Sequence, residues 1–221
     1  MSGNFKIFED IKQAIKQSNL VAESQDGEGR VNSKLDEKNI IALLKKKFPN
    51  HIIDTAERMF ADVIIMTEDG TRCHTNIKTS IGGSDNAFSK LGFIMAFTDI
   101  TEEELADGSL GGKFDSKIDD ENFIRLMESR KKDTPRDYYF LALDKEDMTK
   151  DPIIRGVKEI ENWGWNTTNN AQIVWNVEKK SDGKVRTFDE AYNEIIKNGV
   201  YKCWSKKADQ WKQAIELFQD Q

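Results

Sequence analysis

The 221 residues can bury a sizeable core, and 38% hydrophobic and 33% charged residues indicate a globular rather than a disordered chain. No apolar run approaches the length of a membrane helix and the N-terminus lacks a secretory signal pattern, so we expect a soluble, cytoplasmic protein without membrane contact. The net charge of −6 mildly disfavours a nucleic-acid partner, and the two cysteines give no metal-ligand or disulfide pattern.

The spacing of apolar residues predicts two helices in the N-terminal part of the chain. The first covers residues 4–19 and is amphipathic, with an apolar side that either completes the core or forms a dimer interface. The second begins near residue 32 and ends at about Phe48, before Pro49. Glu37 lies near the start of this second helix, where an acidic side chain stabilises the positive end of the helix dipole.

A β-hairpin is predicted over residues 61–80, where a short apolar run, an Asp-Gly turn signal and a second strand-like run follow one another. Because side chains alternate along a strand, Asn76 and Lys78 share one face. A loop of residues 69–71 would place Asp62 opposite Lys78 on that face, whereas a two-residue loop would turn Asp62 to the other face. With the longer loop, a carboxylate, an amide oxygen and an ammonium group converge on one spot.

The remaining segments alternate between helix, strand and loop patterns, which indicates an α/β fold. Residues 86–98 are apolar on most sides and predict a buried helix or strand, while residues 101–120 are acidic and glycine-rich and predict a surface loop. Residues 137–143 form the clearest strand, which is too apolar for a sheet edge. A polar loop with two tryptophans leads into an alternating strand at 171–177, and an amphipathic helix covers 205–219.

Two short segments resemble one family of nucleases. Asp62, a hairpin and then Asn76-Ile77-Lys78-Thr79 resemble the signature of the PD-(D/E)xK superfamily, in the form found in EcoRV-like Type II restriction endonucleases. Asn166-Thr167-Thr168-Asn169 is similar to the segment with which that branch enters the DNA major groove, and the order and rough spacing of the two segments agree. The resemblance implies a single domain of residues 1–221 with a restriction-endonuclease-like central mixed β-sheet flanked by helices.

The activity implied by the resemblance is Mg²⁺-dependent hydrolysis of double-stranded DNA. A homodimer would cut a palindromic site and leave blunt ends. Residues 1–50 would supply N-terminal helices and dimerisation, 51–160 the catalytic core, and 161–221 the recognition loop and C-terminal helices. A loop with Asn and Thr but no Arg favours A·T pairs, because Asn pairs with adenine and Thr contacts the thymine methyl group.

The resemblance also implies roles for individual residues. Asp62 and the oxygen of Asn76 would hold the metal, and Lys78 would orient or deprotonate the attacking water. Glu37 would be the acid that many such enzymes add from a helix, with a plain helix-start role as its alternative. The DNA contacts would come from Thr79, Ser80, Gly83, Trp163, Trp165, Asn166, Thr167, Thr168 and Asn169. For the two tryptophans, the alternative is packing beneath the loop.

Position 76 departs from the family, which has a carboxylate where this chain has Asn. Either another acid, such as Glu37, Asp36 or Glu68, replaces the missing charge, or the chain carries an acid-to-amide exchange that reduces its activity. The alternative function is a sequence-specific DNA-binding protein without catalysis. A more distant alternative is an acidic interaction domain with no DNA role.

Three basic runs are candidate contacts to DNA phosphates despite the acidic net charge. They lie at residues 45–47, 130–132 and 202–207. Each run taken singly is also typical of a solvated helix face.

Overall fold

The structure consists of two β-sheets and the helices that pack against them. It is a computed structural model, and it describes residues 5–22, 29–55, 60–80, 83–107, 110 and 118–219. Strands β1 to β8 span Ile52–Asp54, Val63–Met66, Arg72–Ser80, Ser84–Asn86, Tyr138–Asp144, Ile153–Gly156, Trp163–Asn166 and Asn170–Val174. Helices α1 to α8 span Lys6–Lys16, Gly29–Lys47, Lys90–Phe97, Glu102–Asp107, Asp120–Ser129, Trp175–Glu178, Phe188–Ala191 and Lys202–Gln219. A π-helix at Tyr192–Tyr201 joins the last two helices.

The central sheet is mixed and has five strands in the order β1-β2-β3-β5-β6. Its neighbouring strands are antiparallel except β3 and β5, which run parallel along their whole pairing. The crossover between these two strands contains α3, α4 and α5, as a parallel pair requires a long connection. Strand β5 is buried along almost its full length, in agreement with its apolar sequence. A mixed sheet flanked by helices, as predicted, is therefore confirmed.

Helices cover both faces of the central sheet because side chains alternate along its strands. Ile77 and Leu141 pack on one face against Ile11 of α1 and Leu44 of α2. Phe140 and its neighbours on the other face join a larger core that contains α3, α5 and the π-helix. None of the helices in the described ranges is long and apolar enough to cross a membrane.

The second sheet has three antiparallel strands in the order β4-β8-β7. Strands β7 and β8 form a hairpin whose turn contains Asn166 to Asn170. Strand β4 reaches this sheet from the end of β3, and Asn86 pairs with Gln172 of β8. The catalytic-core stretch predicted at 51–160 thus contributes one strand to the sheet that carries the candidate recognition loop.

The β2–β3 hairpin has a different register from the predicted one. Met66 pairs with Arg72 and Val63 with Thr75, so the three-residue loop is 68–70. The turn begins one residue earlier than predicted because the hydroxyl of Thr67 accepts a hydrogen bond from the Thr71 N–H, at 2.9 Å. The predicted pairing of Asp62 with Lys78 is therefore wrong by two residues. A register shift of two residues leaves every side chain on the same face of the sheet, so Asp62 lies opposite Asn76 instead of Lys78.

Candidate active site

The site lies where β2 ends and leaves part of β3 uncovered. The last β2 pair is Val63 with Thr75, and the N–H of Asp62 donates to the Thr75 carbonyl at 3.0 Å. Beyond this point β3 has no neighbouring strand on this side. The Asp62 side chain supplies the acceptor that a strand would provide, since its Oδ2 accepts a hydrogen bond from the Ile77 N–H at 2.7 Å. The carboxylate is thereby fixed against the backbone between Asn76 and Lys78.

Asn76 and Lys78 line a cavity of about 210 Å³ on the same face of β3. The other lining residues are Phe60, Asn86, Ala87, Phe88, Ser89 and Tyr138. Within the described part of the chain, Oδ1 of Asn76 is buried and has no hydrogen-bond partner. A buried acceptor without a donor is costly, and a bound cation or water would satisfy it.

Glu37 of α2 joins this group through electrostatic contact with Asp62 and Lys78. The pKa of Glu37 is raised from 4.5 to about 7, chiefly by burial and next by the negative charge of Asp62. Lys78 and Lys34 oppose this rise, while Asp36 adds to it. The predicted helix-borne acid therefore lies within range of the hairpin acid and the lysine.

The pKa of Asp62 is also raised, chiefly by burial. The Ile77 N–H and the Lys78 ammonium group act in the opposite direction, because both stabilise the charged carboxylate. Two acids with raised pKa values in one partly buried site indicate that the ionised carboxylates are less stable there than in water. Such raised pKa values are common at functional sites.

The ammonium group of Lys78 has no carboxylate within 4.0 Å among the described residues. Several other lysines do form a salt bridge with a carboxylate; the ammonium group of Lys179, for example, lies 3.3 Å from Asp144. Lys78 is half-buried and lines the cavity, so its charge is directed towards whatever enters it.

The other two acids that the sequence offered lie elsewhere. Asp36 is fully buried, 3.9 Å from the Lys145 ammonium group and 3.5 Å from the Thr79 hydroxyl. Glu68 is exposed in the hairpin turn, at the opposite end of β2 from Asp62. Glu37 is thus the acid that the fold brings to the hairpin site.

The residues at this site fit a magnesium ion, although the charge they offer is low. In the described ranges there is no group of three or more His, Cys, Asp or Glu side chains suited to a metal. Asp62, the unsatisfied oxygen of Asn76 beside it and Glu37, which interacts electrostatically with Asp62, are nevertheless oxygen donors of the kind that Mg²⁺ binds. Mg²⁺ is usually held by one or two carboxylates together with waters and substrate phosphates, so this donor set is sufficient.

Sequence reasoning missed the cavity wall opposite β3. The Tyr138 hydroxyl donates to the carbonyl of Phe60 at 2.5 Å, which fixes the backbone two residues before Asp62. Asn86 and Ser89 enter from β4 and the start of α3. The position of Phe60 next to Asp62 is a signal that could have been used, whereas the short polar strand β4 carries no pattern that would place Asn86 there.

The Asn166–Asn169 segment forms the turn between β7 and β8, in agreement with the predicted loop before a strand. The part of that loop with the two tryptophans is instead strand β7. The Asn166 side chain accepts hydrogen bonds from the N–H groups of Thr168 and Asn169, at 3.0 and 2.7 Å. It also donates to the Gln172 side chain at 2.6 Å. Asn166 therefore shapes the turn, and Thr168 is the exposed residue at its tip, between half-buried Thr167 and Asn169.

The two tryptophans pack beneath this turn. Trp163 and Trp165 stack with ring centroids 5.4 Å apart, and Trp163 also contacts Phe93 of α3 at 6.1 Å. Trp165 lies against Gly199 of the π-helix so closely that a side chain there would collide with its ring. The alternative given for these residues, packing under the loop, describes their position in the structure.

The remaining candidate DNA contacts follow β3. Thr79 is half-buried on the face opposite Lys78, and Ser80 is the last residue of the strand. Gly83 is exposed, and its carbonyl accepts a hydrogen bond from the Trp175 N–H at 3.1 Å. Residues 81 and 82 between them lie outside the described residues.

Comparison of the chain with protein-family models, curated proteins and solved structures found no match. Its function therefore has to be inferred from the fold and from the geometry of the residues around β3.

Proposed function

We propose that the chain is a Mg²⁺-dependent endonuclease of double-stranded DNA, a Type II restriction enzyme of the PD-(D/E)xK superfamily in its EcoRV-like branch. It would act in the cytoplasm as a homodimer on a palindromic, A·T-rich site and leave blunt ends. The observation that carries the proposal is the group at the uncovered edge of β3. There the Asp62 carboxylate accepts a hydrogen bond from the Ile77 N–H, and the buried side-chain oxygen of Asn76 has no hydrogen-bond partner among the described residues. Glu37 interacts electrostatically with Asp62 and Lys78.

The proposed chemistry divides among these side chains. Asp62, Asn76 and Glu37 would hold the metal through oxygen atoms. When bound, Mg²⁺ would polarise the scissile phosphate and lower the pKa of the attacking water. Lys78, on the same face as Asn76, would orient or deprotonate that water and offset the negative charge that develops on the phosphate.

The turn between β7 and β8 supports an A·T-rich substrate. Because the Asn166 side chain makes its hydrogen bonds within the hairpin, Thr167, Thr168 and Asn169 would make the base contacts. An Asn amide pairs with adenine, a Thr methyl group contacts thymine, and the turn contains no Arg to pair with guanine.

A DNA-binding protein without catalysis is the second candidate. Position 76 supplies a neutral amide instead of a carboxylate, and the described residues contain no three-acid metal group. Such a protein would keep the turn and lose the metal chemistry.

The test is incubation of mixed plasmid and phage DNA with the full chain, with and without Mg²⁺. The matched variants are Asp62→Asn, which keeps an acceptor for the Ile77 N–H, and Lys78→Met, which keeps the apolar stem. We expect discrete fragments from the unmodified chain only when Mg²⁺ is present, and none from either variant although both still bind DNA. A gel shift without cutting would support the second candidate, and no binding at all would exclude both.

A further inference from the structure

A second groove lies between the β7–β8 turn and the start of α8. Its volume is about 170 Å³, and it is separate from the cavity at β3. Its lining includes Asn166, Thr167, Asn198, Lys202, Cys203 and Lys206. Lys202 and Lys206 are four residues apart on α8, so their side chains lie on the same helix face.

The charge in this groove is positive and uncompensated. None of its described lining residues is acidic, and Lys202 and Lys206 form no salt bridge with any described residue. Both side chains are exposed. Two like charges four residues apart on a helix are mildly destabilising, and a bound anion would relieve that repulsion.

The other basic runs of the sequence are at least partly neutralised within the fold. Arg130 pairs with Asp99 and Glu104, Lys131 with Asp189, and Lys45 with Asp54. The 202–207 run is thus the one whose lysines lie in a groove and have no acidic partner among the described residues.

The groove walls are held together by specific contacts. Cys203 donates through its thiol to the carbonyl of Asn166 at 2.8 Å, and the Trp204 ring N–H donates to the Asn170 side chain at 2.8 Å. These two hydrogen bonds attach the start of α8 to the turn between β7 and β8. The part of α8 that carries the two lysines is thereby held next to the turn, so phosphate contacts from the helix and base contacts from the turn would keep one register along a duplex.

We propose that this groove binds the phosphodiester backbone of a DNA duplex, with Lys202 and Lys206 contacting phosphates next to the bases that face the turn. The Thr167 hydroxyl and the Asn198 amide line the same groove and add neutral donors for phosphate oxygens. The inference rests on the proposed function, since it takes DNA as the substrate, and it adds where the duplex is held. It also explains how a chain with a net charge of −6 binds a polyanion.

The test compares two double variants of the full chain that remove the same charge. Lys202→Gln with Lys206→Gln changes the groove, while Lys6→Gln with Lys212→Gln removes two exposed lysines outside its lining. The affinity for a short duplex is measured by fluorescence anisotropy over a range of salt concentrations without Mg²⁺. Circular dichroism checks that both variants are folded.

We expect the groove variant to reduce the slope of log affinity against log salt by about 1.8, because each phosphate contact contributes about 0.9. The loss should be similar for different duplex sequences, since backbone contacts carry no base information. The control variant should keep the slope of the unmodified chain.

Equal slopes for the groove variant and the unmodified chain would overturn the inference and leave the endonuclease proposal standing if DNA is still cut. Absence of any salt-dependent DNA binding by the unmodified chain would overturn both. A slope change of equal size in the two double variants would indicate a general charge effect, and would also overturn the groove assignment.

Discussion

Asn76 determines how strongly the proposed site can hold a cation. Its oxygen is buried and unsatisfied, but it carries no charge, whereas Asp62 beside it is a carboxylate fixed by the Ile77 N–H. An additional carboxylate at this position would raise metal affinity and stabilise the charge that develops during hydrolysis.

We expect Asn76→Asp to increase Mg²⁺-dependent DNA cleavage by about tenfold or more, which corresponds to about 1.4 kcal/mol of barrier. The measurement is the rate of plasmid linearisation at saturating Mg²⁺. The double variant Asn76→Asp with Lys78→Met serves as the control and should stay inactive. Cleavage that is unchanged or slower in Asn76→Asp would show that an acid-to-amide exchange is not what limits this chain.

Glu37 gives the site a pH dependence whose sign follows from its raised pKa. The folded chain holds the Glu37 proton up to about pH 7, whereas the unfolded chain loses it near the ordinary value of 4.5. Stability from this group is therefore present at low pH and is lost as pH rises through that window.

We expect Glu37→Gln to be more stable than the unmodified chain at pH 8 but not at pH 5. Millimolar Mg²⁺ should stabilise the unmodified chain at pH 8 and have a smaller effect on the variant, because the variant lacks one ligand charge. Urea unfolding midpoints at the two pH values measure both effects, with Glu146→Gln as an exposed control. If the difference between the two chains is the same at pH 5 and pH 8, Glu37 is not buried beside Asp62 as described.

At the scale of elements, the sequence identified most strands but not their pairing. The apolar run of β5 and the turn between β7 and β8 follow from local composition. The β2–β3 register does not, because the turn is closed between Thr67 and Thr71 through both the backbone and the Thr67 hydroxyl, and the Asp-Gly signal does not specify these partners. The position of β4 depends on pairing with a strand more than 80 residues later, for which three polar residues give no local signal.

Two glycines in strands test the packing of the two sheets separately. A side chain at Gly156 of β6 would collide with the carboxylate of Asp137, whereas one at Gly164 of β7 would meet Val174 at 3.6 Å, an ordinary contact. We expect Gly156→Ala to destabilise the chain by about 2 kcal/mol, as overpacking of a filled site does.

Gly164→Ala is the matched control and should be neutral or slightly stabilising, since it removes the entropy cost of glycine in a strand. Thermal and urea unfolding of both variants give the comparison. Equal effects of the two substitutions would contradict the close approach of Asp137 to the β6 backbone.

At the scale of the whole molecule, a palindromic substrate requires a second copy of the chain. The apolar side of α1, for which the sequence left core or dimer interface open, is buried in the core. Helix α8 instead offers a face for a second copy, because Trp211 is 65% exposed and Ile215 is 53% exposed, and both lie on one side of the helix. Lys207 near its start and Glu216 near its end have opposite charges. They lie on opposite sides of the helix, so an antiparallel pair of α8 helices would bury the two apolar side chains without pairing these charges.

We expect the chain to have twice its 25.4 kDa mass in solution, and Trp211→Ser with Ile215→Ser to shift it towards the monomer. Light scattering coupled to size-exclusion chromatography measures the mass. Val185→Ser, which changes an apolar side chain that is 92% exposed outside α8, should not alter it. A monomeric unmodified chain at tens of micromolar would exclude this interface.

The candidate site could be predicted in part because its signature residues are close in sequence. Asn76 and Lys78 belong to one strand, so periodicity placed them on one face, whereas the face of Asp62 depended on the length of the hairpin loop. Glu37 was identified only through resemblance, since helix position gives no distance to a strand. The cavity wall formed by Asn86 and Tyr138 depends on how two sheets and a helix meet, which a single sequence does not specify.

Strand β4 connects the cavity at β3 with the turn between β7 and β8. Asn86 lines the cavity with Lys78, pairs across the sheet with Gln172, and Gln172 accepts a hydrogen bond from Asn166 in the turn. If the chain binds DNA as proposed, a duplex that distorts the turn would displace the cavity wall through Gln172 and Asn86. Such a short mechanical linkage would let a mismatched base pair slow hydrolysis without preventing attachment, so discrimination between sites would arise in the cutting step as well as in affinity.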